Sequence, residues 1–308
     1  MIEDNIKPNI NLADYTTFKI GGPAKFFVEA ATKEELQAAL AWAKAQDLPY
    51  FILAGGSNIL VSDNGFNGLV IKINNQEIEQ NGYELTAAAG ARLGDVVAWT
   101  TDAGLAGLEW ASGVPGSVGG AVRGNAGCYG GETKNSIKEV EFFDIRDNQF
   151  KIWPVSRLDF NYRSSLFKHD ETKIIWRVVF SLTPGSPKEL QDYAINLINL
   201  RVAKLPKFPS AGSVFKNLLD ETELALTLGV EDQIKGGKLA TAVIIENLGL
   251  KGKQIGGAKI SDEHANFIVN YSKASAQDVK TLVELIKQEA KARFNLELEE
   301  EIQYLGLF

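Results

Sequence analysis

The chain has 308 residues, 45% hydrophobic and 23% charged, a composition typical of a globular protein with more than one domain. Its formal net charge of -7 and pI near 5.1 argue against non-specific binding to nucleic acid or to an anionic membrane surface. The single Cys128 and only two histidines exclude an internal disulfide and a Cys/His zinc site, so no bound metal is expected.

The N-terminal stretch 1–18 has neither the basic region nor the apolar core of a secretory signal. No window contains the about 18 consecutive apolar residues that a transmembrane helix needs. We therefore expect a cytoplasmic protein without a membrane-spanning segment.

The first half of the chain predicts alternating helices and strands. Thr32 and Glu35 form a capping box before a helix that ends near Pro49. A strand then enters the glycine turn 54–58, and further strands follow over 68–73 and 83–91. The segment 93–104 predicts a short helix that ends at Gly104.

Two glycine-rich stretches are candidates for contact with a ligand. The turn 54–58 ("AGGSN") can place backbone N–H groups around an anion, or it is a plain turn after a strand. The stretch 113–132 approximates the dinucleotide motif G-x-G-x-x-G, but Pro115 and the lack of a helical continuation predict an extended loop. Such a loop suits backbone that lies against a flat cofactor, and the alternative is a purely structural loop.

The second half predicts a hairpin over 140–155 and a strong strand over 173–182. Composition shifts at 183–186 ("TPGS"), after which a helix is predicted to run to about Arg201. The last helix is predicted to begin near Ser275, and the alternating segment 295–306 reads as a closing strand. The pattern predicts an α+β protein with one part before and one part after this boundary.

Polar side chains near the end of each part are candidates for chemistry. Arg163, beside Tyr162, can clamp a carboxylate, although an ordinary surface arginine is the alternative. Ser213 lies between Gly212 and an apolar pair in "PSAGSVFKN", where the alternative is a capped turn. The acidic run predicts a strand with Glu297, Glu299 and Glu301 on one face and Glu300 on the other, so either one acid points inward or the run is a solvated edge.

The order of these motifs resembles one enzyme family. "TTFKIGGPAKFFVEA", "ILAGGSN", "GVPGSVGGAVRGNAG", "FNYRSSLFK", "PSAGSVFKN", "SDEHANFIVN" and "FNLELEEEIQYLG" follow one another as in the UDP-N-acetylenolpyruvoylglucosamine reductase (MurB) family. The resemblance runs from about Asn11 to Gly306. It implies NADPH-dependent, FAD-mediated reduction of UDP-N-acetylglucosamine enolpyruvate to UDP-N-acetylmuramate in peptidoglycan precursor synthesis.

The resemblance also implies an architecture. Residues 1–184 are expected to form an FAD-binding domain of the vanillyl-alcohol-oxidase (PCMH) type, with α+β subdomains over about 1–75 and 76–184. Residues 185–308 are expected to form a smaller α+β substrate-binding domain. The short interval between Arg163 and Ser213 resembles the shorter form of the family, without the extra tyrosine loop. We expect a cytoplasmic monomer that takes part in cell-wall synthesis, cell shape and cell division.

The resemblance assigns roles residue by residue. The catalytic set is Ser213 as proton donor with Arg163 and Glu301 as stabilisers of developing charge. Non-covalent FAD is assigned to two turns: Ala54, Gly55, Gly56, Ser57, Asn58 and Ile59, and Gly113, Val114, Pro115, Ser117, Val118 and Gly119 with Asn125 and Ala126. Substrate contacts are assigned to Tyr162, Lys204, Lys216, Asn217 and His264. Lys216 is also a candidate for raising the acidity of the Ser213 hydroxyl.

The chain departs from the family pattern at Arg123, close to the second flavin loop, and at Leu218, where a proline is usual. Residues 218–247 fit the family loosely, and covalent attachment of the flavin to Cys128 is not expected. Alternative interpretations are another flavin-dependent oxidoreductase of the same fold, or a non-catalytic protein that binds a nucleotide sugar. The first predicts fast reoxidation by oxygen, and the second predicts a colourless protein.

Overall fold

The computed structural model describes residues 2–219 and 221–308. Within these residues the α-helices are α1 Lys33–Ala45, α2 Leu93–Asp102, α3 Val118–Arg123, α4 Leu166–His169, α5 Pro187–Lys204, α6 Thr222–Leu228, α7 Thr241–Asn247 and α8 Ala276–Phe294. The strands are β1 Lys7–Asn11, β2 Pro23–Ala30, β3 Tyr50–Leu53, β4 Ile59–Val61, β5 Phe66–Ile73, β6 Ile78–Asn81, β7 Glu84–Ala88, β8 Leu105–Ala106, β9 Gly127–Cys128, β10 Gly131–Glu132, β11 Ile137–Asp144, β12 Gln149–Pro154, β13 Lys173–Ser181, β14 Thr183–Pro184, β15 Ser210–Ser213, β16 Leu218–Leu219, β17 Lys238–Leu239, β18 Gln254–Ile255, β19 Ala258–Ile260, β20 Phe267–Asn270 and β21 Gln303–Leu305. The predicted α+β class is confirmed. None of the helices in the described ranges is both long enough and apolar enough to cross a membrane.

The chain divides into two compact units, each built from segments that are not contiguous in sequence. Unit 1 comprises the residues up to Ile10, Lys25–Gly55 and Asn67–Ala203. Unit 2 comprises Asn11–Ala24, Gly56–Phe66 and Lys204–Phe308. The domain boundaries 1–184 and 185–308 remain a prediction, because compact packing is not a measurement of which segments fold independently.

Unit 1 is built around two sheets. One has the order β12-β11-β13-β7-β6 with antiparallel neighbours, and the other has the order β1-β2-β5-β3, in which β3 and β5 are parallel. The core between the elements includes Leu36, Leu69 and Phe142. The predicted capping box of α1 is present: Glu35 N–H donates to Thr32 Oγ1, and Thr32 N–H donates to the Glu35 carboxylate.

The glycine-rich stretch contains a short helix, so the predicted extended loop is wrong for residues 118–123. Ser117 caps α3, since its Oγ accepts the Gly120 N–H at 3.4 Å. The Val118 and Gly119 N–H groups donate to carbonyls that immediately follow β7, at 3.0 and 2.8 Å. These contacts come from a distant part of the chain, and they outweigh the low helix propensity of the glycines.

Unit 2 contains the sheet β15-β20-β19-β18 and the parallel pair β4–β21. The long helix α8 begins at the predicted place, with Ser275 as its N-cap. Its buried face is the predicted one and includes Val279, Leu282 and Ile286.

The predicted closing strand is only partly correct. Only Gln303–Leu305 forms a strand, and it pairs in parallel with β4. Residues 295–302 keep the alternation of burial, with Leu296 and Leu298 buried and Glu297 exposed. They pair with the segment around Phe215 only through an isolated bridge between Phe215 and Glu300. Alternating burial does not require a regular strand partner, so the pattern alone overstated the length of the strand.

The N-cap of α8 gives a test of local stability. Ser275 Oγ accepts the Asp278 N–H at 3.0 Å, and the Asp278 carboxylate accepts the Ser275 N–H at 3.0 Å. We expect Ser275→Ala to lower the free energy of unfolding by about 1 kcal/mol. Thr281→Ala, on the exposed face of the same helix, is the control and should change it little. Equal effects in urea unfolding would contradict the cap's contribution.

Candidate functional site

The two predicted flavin turns meet in unit 1 at Gly55 and Gly116. A Cβ built on Gly55 would lie 2.6 Å from the Gly116 Cα, so the turns are in backbone contact and tolerate no side chain there. Gly55 is exposed and Gly116 half-exposed, and neither N–H donates to another residue of the described ranges. Two glycine turns that contact each other and leave backbone N–H groups exposed can bind a flat or anionic ligand.

The N-terminus of α3 is used by the protein itself. The N–H groups of Val118 and Gly119 donate to Ala91 and Ala89 carbonyls, and Gly120 N–H donates to Ser117 Oγ. A ligand phosphate therefore has no free first-turn N–H at α3, in contrast to the usual dinucleotide-binding helix. Ser117, Val118 and Gly119 hold the turn in place, whereas Gly113 and Pro115 are exposed.

Asn125 joins separate segments of unit 1. Its fully buried amide donates from Nδ2 to the Glu132 carboxylate and to the Asn161 carbonyl, both at 2.9 Å, and its Oδ1 accepts the Lys134 N–H at 3.1 Å. All of its side-chain groups are thus engaged, so a contact to a ligand would come from the backbone here. Ala126 is likewise fixed, because its N–H donates to the Ala121 carbonyl.

Arg163 lies at the tip of a tight turn. Asn161 and Ser164 exchange backbone hydrogen bonds of 3.0 and 3.2 Å, which leaves Tyr162 and Arg163 as the loop residues. Arg163 has a φ of 54°, and its guanidinium donates to the Gly127 carbonyl at 2.6 Å and lies 5.2 Å from the Tyr162 ring centroid. The turn therefore holds the guanidinium in a defined position before any ligand arrives.

The Cys128 thiol is hydrogen-bonded within unit 1. Its Sγ–H donates to the Trp110 carbonyl at 3.0 Å, and the Arg201 guanidinium lies 3.7 Å from the sulfur. Burial raises the pKa of the Cys128 thiol, despite the opposing effect of the nearby arginines. The protonated thiol is a poor nucleophile, which agrees with the expectation that a flavin is not attached to it.

Ser213 ends β15 beside a backbone irregularity in unit 2. Ser210 pairs with Val269 and Ser213 with Phe267, and the register shift between them occurs at Gly212, whose φ is 81°. The next residues, Val214 and Phe215, are 1% and 0% exposed. Ser213 is half-exposed, and its hydroxyl is not hydrogen-bonded to any residue of 2–219 or 221–308.

The backbone after Ser213 is held from both sides. Val214 N–H donates to the Asn266 carbonyl at 2.8 Å, and Phe215 N–H donates to Asn266 Oδ1 at 3.0 Å. Asn266 Nδ2 donates in return to the Phe215 carbonyl at 2.8 Å. From the other side, Glu301 N–H donates to the Val214 carbonyl at 2.7 Å. The predicted serine and glutamate are therefore on neighbouring backbone segments.

Asn58 connects the first flavin turn to the same segment. Its Nδ2 donates to the Glu301 carbonyl at 3.1 Å, and its own carbonyl accepts the Gln303 N–H at 3.0 Å. Ile59 is buried and pairs with Gln303. Within unit 2, Asn58 and Ile59 thus anchor Glu301, and the carbonyl of Gly56 accepts the Thr17 N–H at 3.0 Å.

Lys216 makes an ion pair with Glu299, and its N–H donates to the Glu299 carbonyl at 2.9 Å. The ammonium is thus neutralised locally, which weakens the hypothesis that it acidifies Ser213.

Two other predicted substrate contacts lie in different surroundings. Asn217 Oδ1 accepts the Thr241 N–H at 3.4 Å, and Lys204 is exposed at the end of α5.

The imidazole of His264 is half-buried in unit 2. Its ring lies edge-on to Phe267 with 4.8 Å between centroids, and its Nδ1 accepts the Asn266 N–H at 3.3 Å. Burial lowers the pKa of His264, so the ring is neutral near pH 7.

The structure thus places the predicted residues in two groups. Unit 1 brings together the second flavin turn, Asn125 and Arg163, and unit 2 brings together Asn58, Ser213 and Glu301. Sequence reasoning missed Asn266 and Asn161, which hold the segments that carry Ser213 and Arg163. Asn266 stands in the motif "HANF", but its partner is about fifty residues away, so no local pattern indicated its function.

Comparison with known proteins gives a family for both parts of the chain. Residues 24–150 match the model of the FAD binding domain, and residues 204–305 match that of the UDP-N-acetylenolpyruvoylglucosamine reductase C-terminal domain. The chain is 36% identical to the UDP-N-acetylenolpyruvoylglucosamine reductase of Solibacter usitatus over 96% of this chain and 95% of that protein. The enzyme of the same name from Lactobacillus acidophilus is also 36% identical, over 98% of this chain and 95% of that protein. The crystal structure of UDP-N-acetylenolpyruvylglucosamine reductase (MurB) from Thermus caldophilus superposes with a TM-score of 0.79 at 34% identity, covering 98% of this chain and 99% of that one.

The contact between the glycine turns predicts how FAD binding can be weakened. Gly55→Ala places a methyl group within 2.6 Å of the Gly116 Cα and must separate the turns. We expect FAD affinity to fall about tenfold or more, which corresponds to about 1.4 kcal/mol. Gly94→Ala, in the first turn of α2 with open space around its Cβ, is the control. Equal FAD content in Gly55→Ala and wild type, measured by flavin absorbance and titration, would refute the assignment of this turn.

Proposed function

The chain belongs to the UDP-N-acetylenolpyruvoylglucosamine reductase family, and on this premise we propose that Ser213, Arg163 and Glu301 carry out its reaction. The enzyme reduces the enolpyruvyl ether of UDP-N-acetylglucosamine to the lactyl ether, with FAD and NADPH. The fold class predicted from the resemblance, an FAD-binding domain followed by a smaller α+β domain, is confirmed.

The chemistry defines what the protein groups must do. The two glycine turns would hold FAD, which, once reduced by NADPH, would supply a hydride for the terminal vinyl carbon. The electron pair of the double bond then moves to the neighbouring carbon and its carboxylate, and this carbon must receive one proton. The protein must therefore stabilise negative charge next to the carboxylate and hold a proton donor near the carbon.

The observation that best supports this proposal is the double anchoring of the Ser213 segment. Val214 and Phe215 are fully buried, and their backbone is hydrogen-bonded to Asn266 on one side and to Glu301 on the other. The backbone that carries Ser213 is therefore held in place from two segments, and the two residues that follow it are buried. Because an enolate carbon is a strong base, a fixed serine hydroxyl is a competent donor there, and the resulting alkoxide is reprotonated from solvent.

Arg163 and Glu301 supply charge stabilisation in this proposal. The guanidinium of Arg163, held at the tip of its turn, suits the carboxylate of the enolpyruvyl group because it can donate two parallel hydrogen bonds. Glu301, when protonated or hydrogen-bonded, is assigned to the developing negative charge. The remaining proposed substrate contacts are Tyr162, Lys204, Lys216, Asn217 and His264.

The cellular role extends the same proposal. We propose that the protein acts as a monomer in the cytoplasm on UDP-N-acetylglucosamine enolpyruvate, and that its loss impairs cell shape and division. The peptidoglycan precursor is the chemical link between the reaction and these effects. Light scattering of the purified protein at micromolar concentration tests the monomer, and a mass of two chains would contradict it.

The visible spectrum tests the reaction directly. Under anaerobic conditions, the flavin band of the purified protein should bleach with NADPH and return when enolpyruvyl-UDP-N-acetylglucosamine is added. The colour should not return when UDP-N-acetylglucosamine, which lacks the vinyl group, is added instead. A band that returns only with air would indicate an oxidase, and a protein without a flavin band would contradict the assignment of both turns.

Ser213→Ala tests the proton donor. We expect reoxidation of the reduced flavin by the substrate to slow by about 10²-fold or more, because the enolate loses its positioned acid. Reduction by NADPH should proceed at the wild-type rate, since no proton goes to substrate carbon in that half-reaction. Ser210→Ala, in the same strand, is the matched control. Unchanged reoxidation in Ser213→Ala would remove Ser213 from the mechanism.

A further inference from the structure

We infer that Asn266 is a positioning residue for proton transfer: its side-chain amide fixes the backbone that carries Ser213. This inference deepens the proposed function and rests on it, since Ser213 is the proposed donor. We assign Asn266 no contact with substrate or cofactor. It acts through the peptide groups of the residues that follow Ser213.

The side chain of Asn266 replaces a strand partner. The regular pairing of β15 with β20 stops at Ser213, which is paired with Phe267, the first residue of β20. The Asn266 amide continues the pairing: its Oδ1 accepts the Phe215 N–H at 3.0 Å, and its Nδ2 donates to the Phe215 carbonyl at 2.8 Å. Both groups of the amide therefore bind the backbone of one residue, Phe215, which lies two positions after Ser213.

The hydrogen bonds between Asn266 and Phe215 are buried, and this makes the position of the Ser213 backbone depend on them. Asn266 is 2% exposed and Phe215 is 0% exposed, so water cannot readily replace either hydrogen bond. An unpaired buried N–H or C=O is costly, and the chain would shift to find other partners. Since Ser213 lies only two residues before Phe215, a shift of the Phe215 backbone also moves the Ser213 hydroxyl relative to the bound substrate. A displacement of this kind slows a step that depends on alignment by about tenfold to 10²-fold.

Asn270 provides a matched control at the other end of β20, the strand that follows Asn266. Its Nδ2 donates to the Phe18 and Lys19 carbonyls at 3.3 and 3.2 Å, and its Oδ1 accepts the Ala274 N–H at 2.8 Å. Asn270→Ala therefore also removes an asparagine that ties backbone segments together in unit 2. It does so without a contact to the segment 213–216.

The experiment compares Asn266→Ala, Asn266→Asp and Asn270→Ala in the FAD-loaded enzyme. Hydrogen exchange, measured without substrate, should accelerate at the Val214 and Phe215 amides in Asn266→Ala but not in Asn270→Ala. In single-turnover measurements, Asn266→Ala should slow reoxidation by the substrate about tenfold to 10²-fold and leave reduction by NADPH unchanged. Asn270→Ala should leave both half-reactions at the wild-type rate.

Asn266→Asp adds a readout that a general loss of stability does not produce. A protonated aspartic acid has the same donor and acceptor arrangement as asparagine, whereas the carboxylate has no donor for the Phe215 carbonyl. Burial raises the pKa of such a carboxyl, so its reoxidation rate should recover as the pH falls from about 8 to about 6. Wild type and Asn266→Ala should show no such recovery over this range.

Two outcomes would overturn the inference. One is wild-type reoxidation in Asn266→Ala, and the other is an equal slowing of both half-reactions in Asn266→Ala. If Asn266→Ala does not fold, the absence of recovery in Asn266→Asp at low pH would overturn it. If instead Ser213→Ala leaves reoxidation unchanged, the proposed donor is wrong, while the exchange data still show whether Asn266 holds the segment.

Discussion

The buried peptide groups of Val214 and Phe215 must be hydrogen-bonded, because an unpaired buried N–H or C=O costs about 1–3 kcal/mol. β15 ends at Ser213 and β20 begins at its partner Phe267, so the regular ladder does not reach Phe215. Asn266 and the segment that contains Glu301 supply them instead. The position of Ser213 and its proximity to the Glu301 backbone thus follow from one requirement, that the buried backbone N–H and C=O groups are hydrogen-bonded.

Unit 1 meets a similar requirement with another buried asparagine. Asn125 ties the end of the second flavin turn to Glu132 and to the carbonyl of Asn161. Asn161 in turn closes the tight turn that presents Arg163. In both units an asparagine joins non-contiguous segments, because one amide offers a donor and an acceptor in fixed geometry. The backbone segments that carry Ser213 and Arg163 are therefore each held by an asparagine side chain.

Local signals in the sequence were sufficient where the structure is local. The capping residues Thr32 and Ser275 and the periodicity of α8 predicted those helices, since caps and faces involve residues a few positions apart. The helix α3 was missed because carbonyls near β7 stabilise it from a distance. The order of motifs predicted the roles of Ser213 and Arg163. The asparagines that hold their segments could not be predicted, because their hydrogen-bond partners are distant in the sequence.

The pairing of Lys216 bears on how a serine can serve as the acid. Its ammonium forms an ion pair with Glu299, so it adds little net positive charge near Ser213. The hydroxyl therefore depends on the basicity of the enolate and on its own alignment, because a strong carbon base needs no unusually acidic donor. The buried, hydrogen-bonded backbone of Val214 and Phe215 favours this alignment, because it fixes the segment that carries Ser213. The demands on the fold are thus geometric: it must fix the Ser213 backbone and limit access, and it need not shift the ionisation of the hydroxyl.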